Sequence, residues 1–165
     1  MSSPLPDSIL YFAYGTLLGA TSMQGHCASA VRRGQAYLPD YELALQCFGD
    51  GPRDGGCALS PLPGMQTFGV LYEIPGDEWS ALKELSGVGT AYRVLPVVVF
   101  LADGSRVEAE TLTITNPKGP YRPPDDYLDL ITVGAMSAEL PLEYQGHLLR
   151  IVSRAAALSN PPPDG

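Results

Sequence analysis

The sequence predicts an α+β domain with a predominantly β core and a few short helices. Glycine and proline, with 18 and 16 residues, make up about a fifth of the 165-residue chain, and that much of both would break long helices. Short apolar runs separated by Gly-, Pro- and Asp-rich turns recur along the chain, which is typical of strands. Hydrophobic residues make up 45% and charged residues 17%, so the composition excludes a disordered chain.

Most strands are predicted in the first half of the chain. Residues 9–14 form an apolar, aromatic run that ends at Gly15, which indicates a buried strand. Residues 49–56 consist almost wholly of turn-forming residues and predict a surface loop. The remaining strand candidates before residue 75 are two short pieces within 34–48 around a turn at Pro39-Asp40, then 57–61 and 67–74.

The second half predicts a helix, a hairpin and two more helices. Asp77 is the expected N-cap of a helix over 78–86, and Gly87 is its expected end. Asp103-Gly104 lies between two apolar runs, which predicts a hairpin. The strands of that hairpin are expected at 94–101 and 107–115, and the helices at about 125–135 and 141–152.

Charge and length limit the classes of partner. The formal net charge is −8, and Arg32-Arg33 is the one basic cluster, so neither nucleic acid nor an anionic membrane surface is an expected partner. The apolar run at 94–102 is far shorter than the roughly 20 residues of a membrane-spanning helix. Without a visible signal peptide, a cytoplasmic protein is expected. We expect an N-terminal extension at 1–8, one domain at 9–153 and a flexible Pro-rich tail at 154–165.

Cofactor patterns do not stand out. Cys27, Cys47 and Cys57 are odd in number and widely spaced, which favours neither a disulfide framework nor a zinc site. The glycines at 49–52 lack the spacing of a phosphate-binding loop. The sequence therefore predicts no cofactor and no metal, and it leaves the choice between monomer and homodimer open.

The turn after the first strand is the segment that points to chemistry. Tyr14-Gly15-Thr16-Leu17 follows a buried strand directly, and glycine permits a tight turn in which backbone N–H groups converge. Such a group of donors can bind a carboxylate or a carbonyl oxygen. Taken alone, a strand that ends in glycine is more often only a strand end.

This turn resembles the Tyr-Gly-Ser-Leu signature of the γ-glutamylcyclotransferase-like family. Three later segments agree with the family in order and spacing: 69–74, 82–88 with Tyr92 just beyond, and Gly134-Ala135 followed by 140–145. The resemblance covers about residues 9–150 and implies a small, mostly antiparallel β-barrel with flanking helices. It also implies cyclisation of a γ-glutamyl amide to 5-oxoproline with release of the amine.

The resemblance also assigns roles to residues. It implies that Tyr14, Gly15, Thr16 and Leu17 bind an amino-acid-like or γ-glutamyl amide substrate. In the family a glutamate just before a Gly-Val pair acts as general base, and that position is Ser86 here. Tyr92 would share the catalytic site, and Tyr127 would contact the substrate.

Ser86 departs from the family pattern, as does Leu112, which stands where many relatives carry a strand tyrosine. A serine hydroxyl does not act as a base near neutral pH unless a neighbouring group activates it. Glu84 lies about 200° around the helix from Ser86, so it does not simply replace the glutamate.

Other polar residues have ordinary structural interpretations. Each of the two histidines, His26 and His147, is expected to be exposed or part of the core rather than catalytic. Glu73 is expected to be an exposed strand carboxylate or a structural hydrogen-bonding group. Asp125 and Asp126 fit a helix start, although they could face the mouth of the site.

Three functions remain open at this point. The first is an enzyme that uses the family's site for a related but altered reaction. The second is a non-catalytic member that binds a small ligand or a protein. The third is ordinary γ-glutamyl cyclotransfer with a recruited carboxylate such as Glu84. We favour them in that order.

Overall fold

A computed structural model describes residues 7–158 of the chain. Within that range it contains five strands and four helices, and the last two helices follow the last strand. The elements are β1 (Ser8–Ala13), α1 (Ala20–His26), β2 (Val31–Cys47), β3 (Gly55–Pro75), α2 (Gly76–Ser86), β4 (Tyr92–Phe100), β5 (Arg106–Ile114), α3 (Asp125–Ser137) and α4 (Leu142–Ala156).

The five strands close into a barrel in the order β1-β3-β2-β4-β5. Neighbouring strands run antiparallel except at the closure, where β1 and β5 pair in parallel through Tyr11 and Glu110. The four helices flank this barrel. The structure therefore confirms the α+β fold and the mostly antiparallel barrel that the sequence and its family resemblance predict.

The long β2–β3 ribbon corrects two predictions. Pro39-Asp40 does not separate two strands, because β2 continues through it with a register shift. Asp40 takes up the shift with φ +67°, and its carboxylate accepts the Gly64 N–H at 2.9 Å. Similarly, 57–61 and 67–74 belong to one strand. β2 and β3 pair on both sides of the register shift, and this pairing keeps each strand continuous although its turn-forming residues alone would favour a break.

The helices differ from prediction mainly at their starts. The sequence does not reveal α1, which is seven residues long, has no side-chain cap and buries only Met23. α2 begins at Gly76 after Pro75, so the prediction of Asp77 as N-cap is wrong, whereas Gly87 does end the helix in the left-handed conformation at φ +82°.

The C-terminal helix is longer than expected. α4 ends at Ala156, four residues beyond the predicted end, so the first part of the predicted tail at 154–165 is helical. Residues 159–165 of that tail, and residues 1–6 of the predicted extension at 1–8, lie outside the described residues. Within residues 7–158, none of the helices has the length and apolar character needed to cross a membrane.

An ion pair between a buried carboxylate and a partly exposed guanidinium connects strands of the barrel. Glu73 of β3 is 4% exposed, and its carboxylate accepts hydrogen bonds from the Arg33 guanidinium of β2 and from the Ser8 hydroxyl of β1 at 2.9 Å. Three adjacent strands therefore meet at one carboxylate. Of the two interpretations offered by the sequence, Glu73 is the structural hydrogen-bonding group.

Candidate functional site

A cavity of about 280 Å³ opens between the end of β1, the start of β3 and the ends of two helices. Aromatic, small and hydroxyl-bearing side chains surround it. Its lining consists of Tyr11, Tyr14, Gly15, Thr16, Leu17, His26, Phe48, Gly55, Cys57, Leu82, Leu85, Ser86, Tyr92, Leu112 and Tyr127. No aspartate or glutamate from the described part of the chain is among these residues.

The turn after β1 forms one wall of the cavity. The Leu18 N–H donates to the Gly15 carbonyl at 3.2 Å, which closes a tight turn. The buried Tyr14 hydroxyl donates to the Leu112 carbonyl at 2.7 Å, and the Ser22 hydroxyl donates to the Thr16 carbonyl at 2.7 Å. These bonds attach the turn to β5 on one side and to α1 on the other, so its backbone is fixed.

Cys57 of β3 packs directly against this turn. A Cβ on Gly15 would lie 2.7 Å from the Cys57 sulfur, so only glycine leaves room for the thiol. Burial raises the pKa of Cys57 to about 11, although hydrogen bonds from the Tyr127 hydroxyl and the Thr16 N–H oppose that rise. The thiol is therefore protonated at neutral pH and is a packing group rather than a nucleophile.

Tyr92 and Tyr127 hold the backbone of Cys57 from both sides. The Tyr92 hydroxyl donates to the Cys57 carbonyl at 3.0 Å, and the Cys57 N–H donates to the Tyr127 hydroxyl at 2.8 Å. Burial raises the pKa of both phenols well above their ordinary value, so both are neutral at physiological pH. Each of the two hydroxyls therefore forms a hydrogen bond to the β3 backbone even when no molecule is bound in the cavity.

The burial of Cys57 predicts slow alkylation. A pKa of about 11 instead of 9.0 lowers the thiolate fraction at pH 7 by about 100-fold. In native protein treated with iodoacetamide, we expect Cys57 to react at least 100-fold more slowly than the half-buried Cys47, as read by peptide mass spectrometry. In 6 M guanidinium chloride the two rates should converge. Equal rates in the native protein would contradict the protonated, buried thiol.

Ser86 reaches the cavity from the end of α2, and Glu84 does not. Ser86 is half-buried and lines the cavity, whereas Glu84 is exposed and lies outside the lining. The helix therefore presents a hydroxyl where the family resemblance places a carboxylate. His26, the last residue of α1, lines the same cavity.

Two glycines of the predicted surface loop belong to the site instead. Gly55 and Gly56 pair with Cys47 and Gln46 in the β2–β3 ribbon. A Cβ on Gly56 would lie 2.4 Å from the Tyr92 hydroxyl oxygen and 2.8 Å from that of Tyr127. A glycine within a strand often marks the close approach of another group, so the Gly55-Gly56 pair is the feature of the sequence that could have indicated this contact.

The aspartates at the start of α3 do not reach the cavity. The Asp126 carboxylate accepts the Tyr127 N–H at 3.0 Å, and Asp125 lies 3.7 Å from Arg122. Neither lines the cavity. These contacts agree with the prediction that Asp125 and Asp126 belong to the start of a helix.

The structure brings together the seven residues to which the family resemblance assigns a role, but not Glu84, Asp125 or Asp126. The candidate substrate-binding and catalytic residues that line this one cavity are Tyr14, Gly15, Thr16, Leu17, Ser86, Tyr92 and Tyr127. Their roles remain predictions. Sequence reasoning missed Gly55, Cys57 and His26 as lining residues. β3 brings Gly55 and Cys57 to the cavity from a distant part of the chain, and His26 ends a helix that the sequence does not reveal.

Comparisons with known proteins agree with this geometry. A family model described as the AIG2-like family matches residues 66–148. The chain is 30% identical to human γ-glutamylcyclotransferase over 159 residues, covering 92% of this chain and 82% of the relative. It is 31% identical to the protein of the same name from Bos taurus over 147 residues, covering 86% and 78%.

Solved structures give the same result. A human protein described as uncharacterized superimposes with a TM-score of 0.80 at 27% identity, and a γ-glutamyl cyclotransferase with 0.79 at 27% identity. Each match covers 96% of this chain and 92% of the other. The chain therefore belongs to the AIG2-like, γ-glutamylcyclotransferase-like family.

Proposed function

We propose that the cavity binds a small amino-acid-like or γ-glutamyl amide molecule and catalyses a related but altered acyl-transfer reaction. The proton transfer is what is altered, because no aspartate or glutamate of the described chain lines the cavity. The observation that carries the proposal is a fixed backbone turn beside a cavity whose described lining has hydroxyl groups and no carboxylate.

The turn supplies the binding groups. Among the described residues, the N–H groups of Gly15 and Leu17 have no partner within the chain, and both residues line the cavity. Backbone donors held in place stabilise an oxyanion without reorganising during the reaction. They suit a carboxylate of the bound molecule or the oxygen of an amide under attack.

The chemistry would begin with the substrate's own amine. In a γ-glutamyl amide the α-amino nitrogen attacks the γ-carbonyl carbon, a C–N bond forms and the carbonyl oxygen becomes an oxyanion. Collapse of this intermediate breaks the original amide bond and releases the amine, which takes up one proton. A proton must leave the attacking nitrogen and another must reach the leaving nitrogen, so a proton-transfer group is required.

A binding protein without catalysis is the second candidate. The lack of an aspartate or glutamate among the described lining residues favours it directly, since Ser86 stands at the family's base position. Recruitment of Glu84 receives no support, since that side chain is exposed and lies outside the cavity lining.

A Ser86→Glu variant tests the proposal. Wild-type protein incubated with γ-glutamyl-alanine should release 5-oxoproline slowly, as followed by liquid chromatography, and Ser86→Glu should raise the rate at least tenfold. A carboxylate at the end of α2 would then add a general base, an effect typically worth 10²–10⁴-fold.

Ser86→Gln is the matched control, because it adds similar volume without an acid. Faster release by Ser86→Glu but not Ser86→Gln would support the proposed cavity. If wild-type protein binds γ-glutamyl-alanine by calorimetry but no form makes product, the binding-only candidate is correct. If none of the three proteins binds the probe, the proposal is wrong.

A further inference from the structure

His26 is the histidine that lines the cavity, although the sequence alone predicts for it no more than an exposed or core position. It is exposed, ends α1 and lines the same cavity as Ser86 of α2. The chain just beyond α1 is tied to the first turn of α2, because the Ser29 N–H donates to the Glu78 carboxylate at 2.9 Å.

The other polar side chains of the cavity are poor proton carriers at neutral pH. Burial raises the pKa of Tyr11, Tyr14, Tyr92 and Tyr127 well above the ordinary value for a phenol. The Cys57 thiol is also protonated, and hydroxyls such as that of Ser86 do not titrate in this range. An imidazole is the side chain that ordinarily gains and loses a proton near neutral pH.

We propose that His26 is the proton-transfer residue of this cavity, in place of the carboxylate that the described lining lacks. This inference rests on the proposed function. The neutral imidazole takes one proton from the substrate's α-amino nitrogen as that nitrogen attacks the γ-carbonyl carbon. The imidazolium then gives the proton to the leaving nitrogen as the original C–N bond breaks, so the imidazole ends neutral and no other reactant is consumed.

His147 provides a matched control within the same chain. The full sequence has two histidines, and His147 lies in α4 with its Nε2 3.5 Å from a Glu42 carboxylate oxygen. It does not line the cavity. With γ-glutamyl-alanine as the probe, His26→Gln should lower kcat by at least 100-fold and leave the dissociation constant within twofold, while His147→Gln should change kcat by less than twofold.

Chemical rescue separates proton transfer from a structural role. Because His26 is exposed, its removal in His26→Ala leaves a site that a small base can enter from solvent. Added imidazole should restore kcat of His26→Ala by at least tenfold in a saturable manner, with no effect on wild-type protein or on His147→Ala. A purely structural loss would not respond to imidazole.

The outcomes distinguish the role of His26 from the proposed function on which it rests. If wild-type protein converts the probe and His26→Gln converts it equally well, the role of His26 is wrong and the proposed function stands. Loss of activity in His26→Ala without imidazole rescue also overturns the role. Binding without turnover in wild-type protein overturns it in favour of a non-catalytic protein, and absence of binding overturns both proposals.

Discussion

Gly69→Ala is expected to lower the free energy of unfolding by about 3 kcal/mol, at the upper end of the range for overpacked cores. Gly69 is buried in β3, and a Cβ there would lie 2.2 Å from the Ala13 carbonyl oxygen and 2.9 Å from the Phe12 ring. The nearest atom belongs to backbone, so β1 itself must move to relieve the contact. Thermal unfolding should show a melting temperature lower by about 10 °C.

Gly25→Ala is the control for the same chemical change. Gly25 is exposed within α1, and nothing lies within 4 Å of its added Cβ. Alanine is the better helix former, so this variant should gain about 0.5–1 kcal/mol. If Gly69→Ala melted at the temperature of wild-type protein, the close approach of β1 and β3 would be wrong.

Arg33→Met is expected to lower the free energy of unfolding by about 2–3 kcal/mol. Removal of one member of a buried ion pair typically costs 3–5 kcal/mol, because the remaining charge loses its compensation. The Arg33 side chain is 35% exposed whereas that of Glu73 is 5% exposed, so solvent screening brings the expected cost below that range. Urea denaturation at pH 7 measures the change.

Arg32→Met removes the same charge from the neighbouring position and controls for net charge. Arg32 is exposed, so its loss should change stability by less than 0.5 kcal/mol. Adding Glu73→Gln to Arg33→Met removes the buried negative charge and should recover part of the loss. Equal losses in Arg32→Met and Arg33→Met would show that the Arg33–Glu73 pair contributes nothing specific.

Local chemistry explains which elements the sequence predicts well. Gly104 has φ +88°, and the Leu101 N–H donates to the Ser105 carbonyl at 2.9 Å, so Asp103-Gly104 makes the expected hairpin between β4 and β5. Gly87 ends α2 as predicted, since glycine readily adopts the positive φ found at the end of a helix.

Long-range pairing explains what the sequence does not predict. Pro39 lies within β2 opposite Gln66 because fifteen pairs of β2 with β3 outweigh the tendency of one proline to end a strand. The seven candidate site residues were found through a family resemblance, which carries tertiary information. Cys57 lacks that help, since only the folded barrel brings β3 to the turn. His26 lacks it because the sequence does not reveal α1.

The bonds that set the turn after β1 also have a consequence for the order of folding. The Tyr14 hydroxyl reaches Leu112, 98 residues away, and the Thr111 hydroxyl reaches the Phe12 carbonyl across 99 residues. Contacts of such high separation form late, because the entropy of closing a long loop is lost before they can contribute. The ribosome therefore makes the turn long before β5, and the bonds that attach the turn to β5 form only after β5 has been synthesised and has closed the barrel.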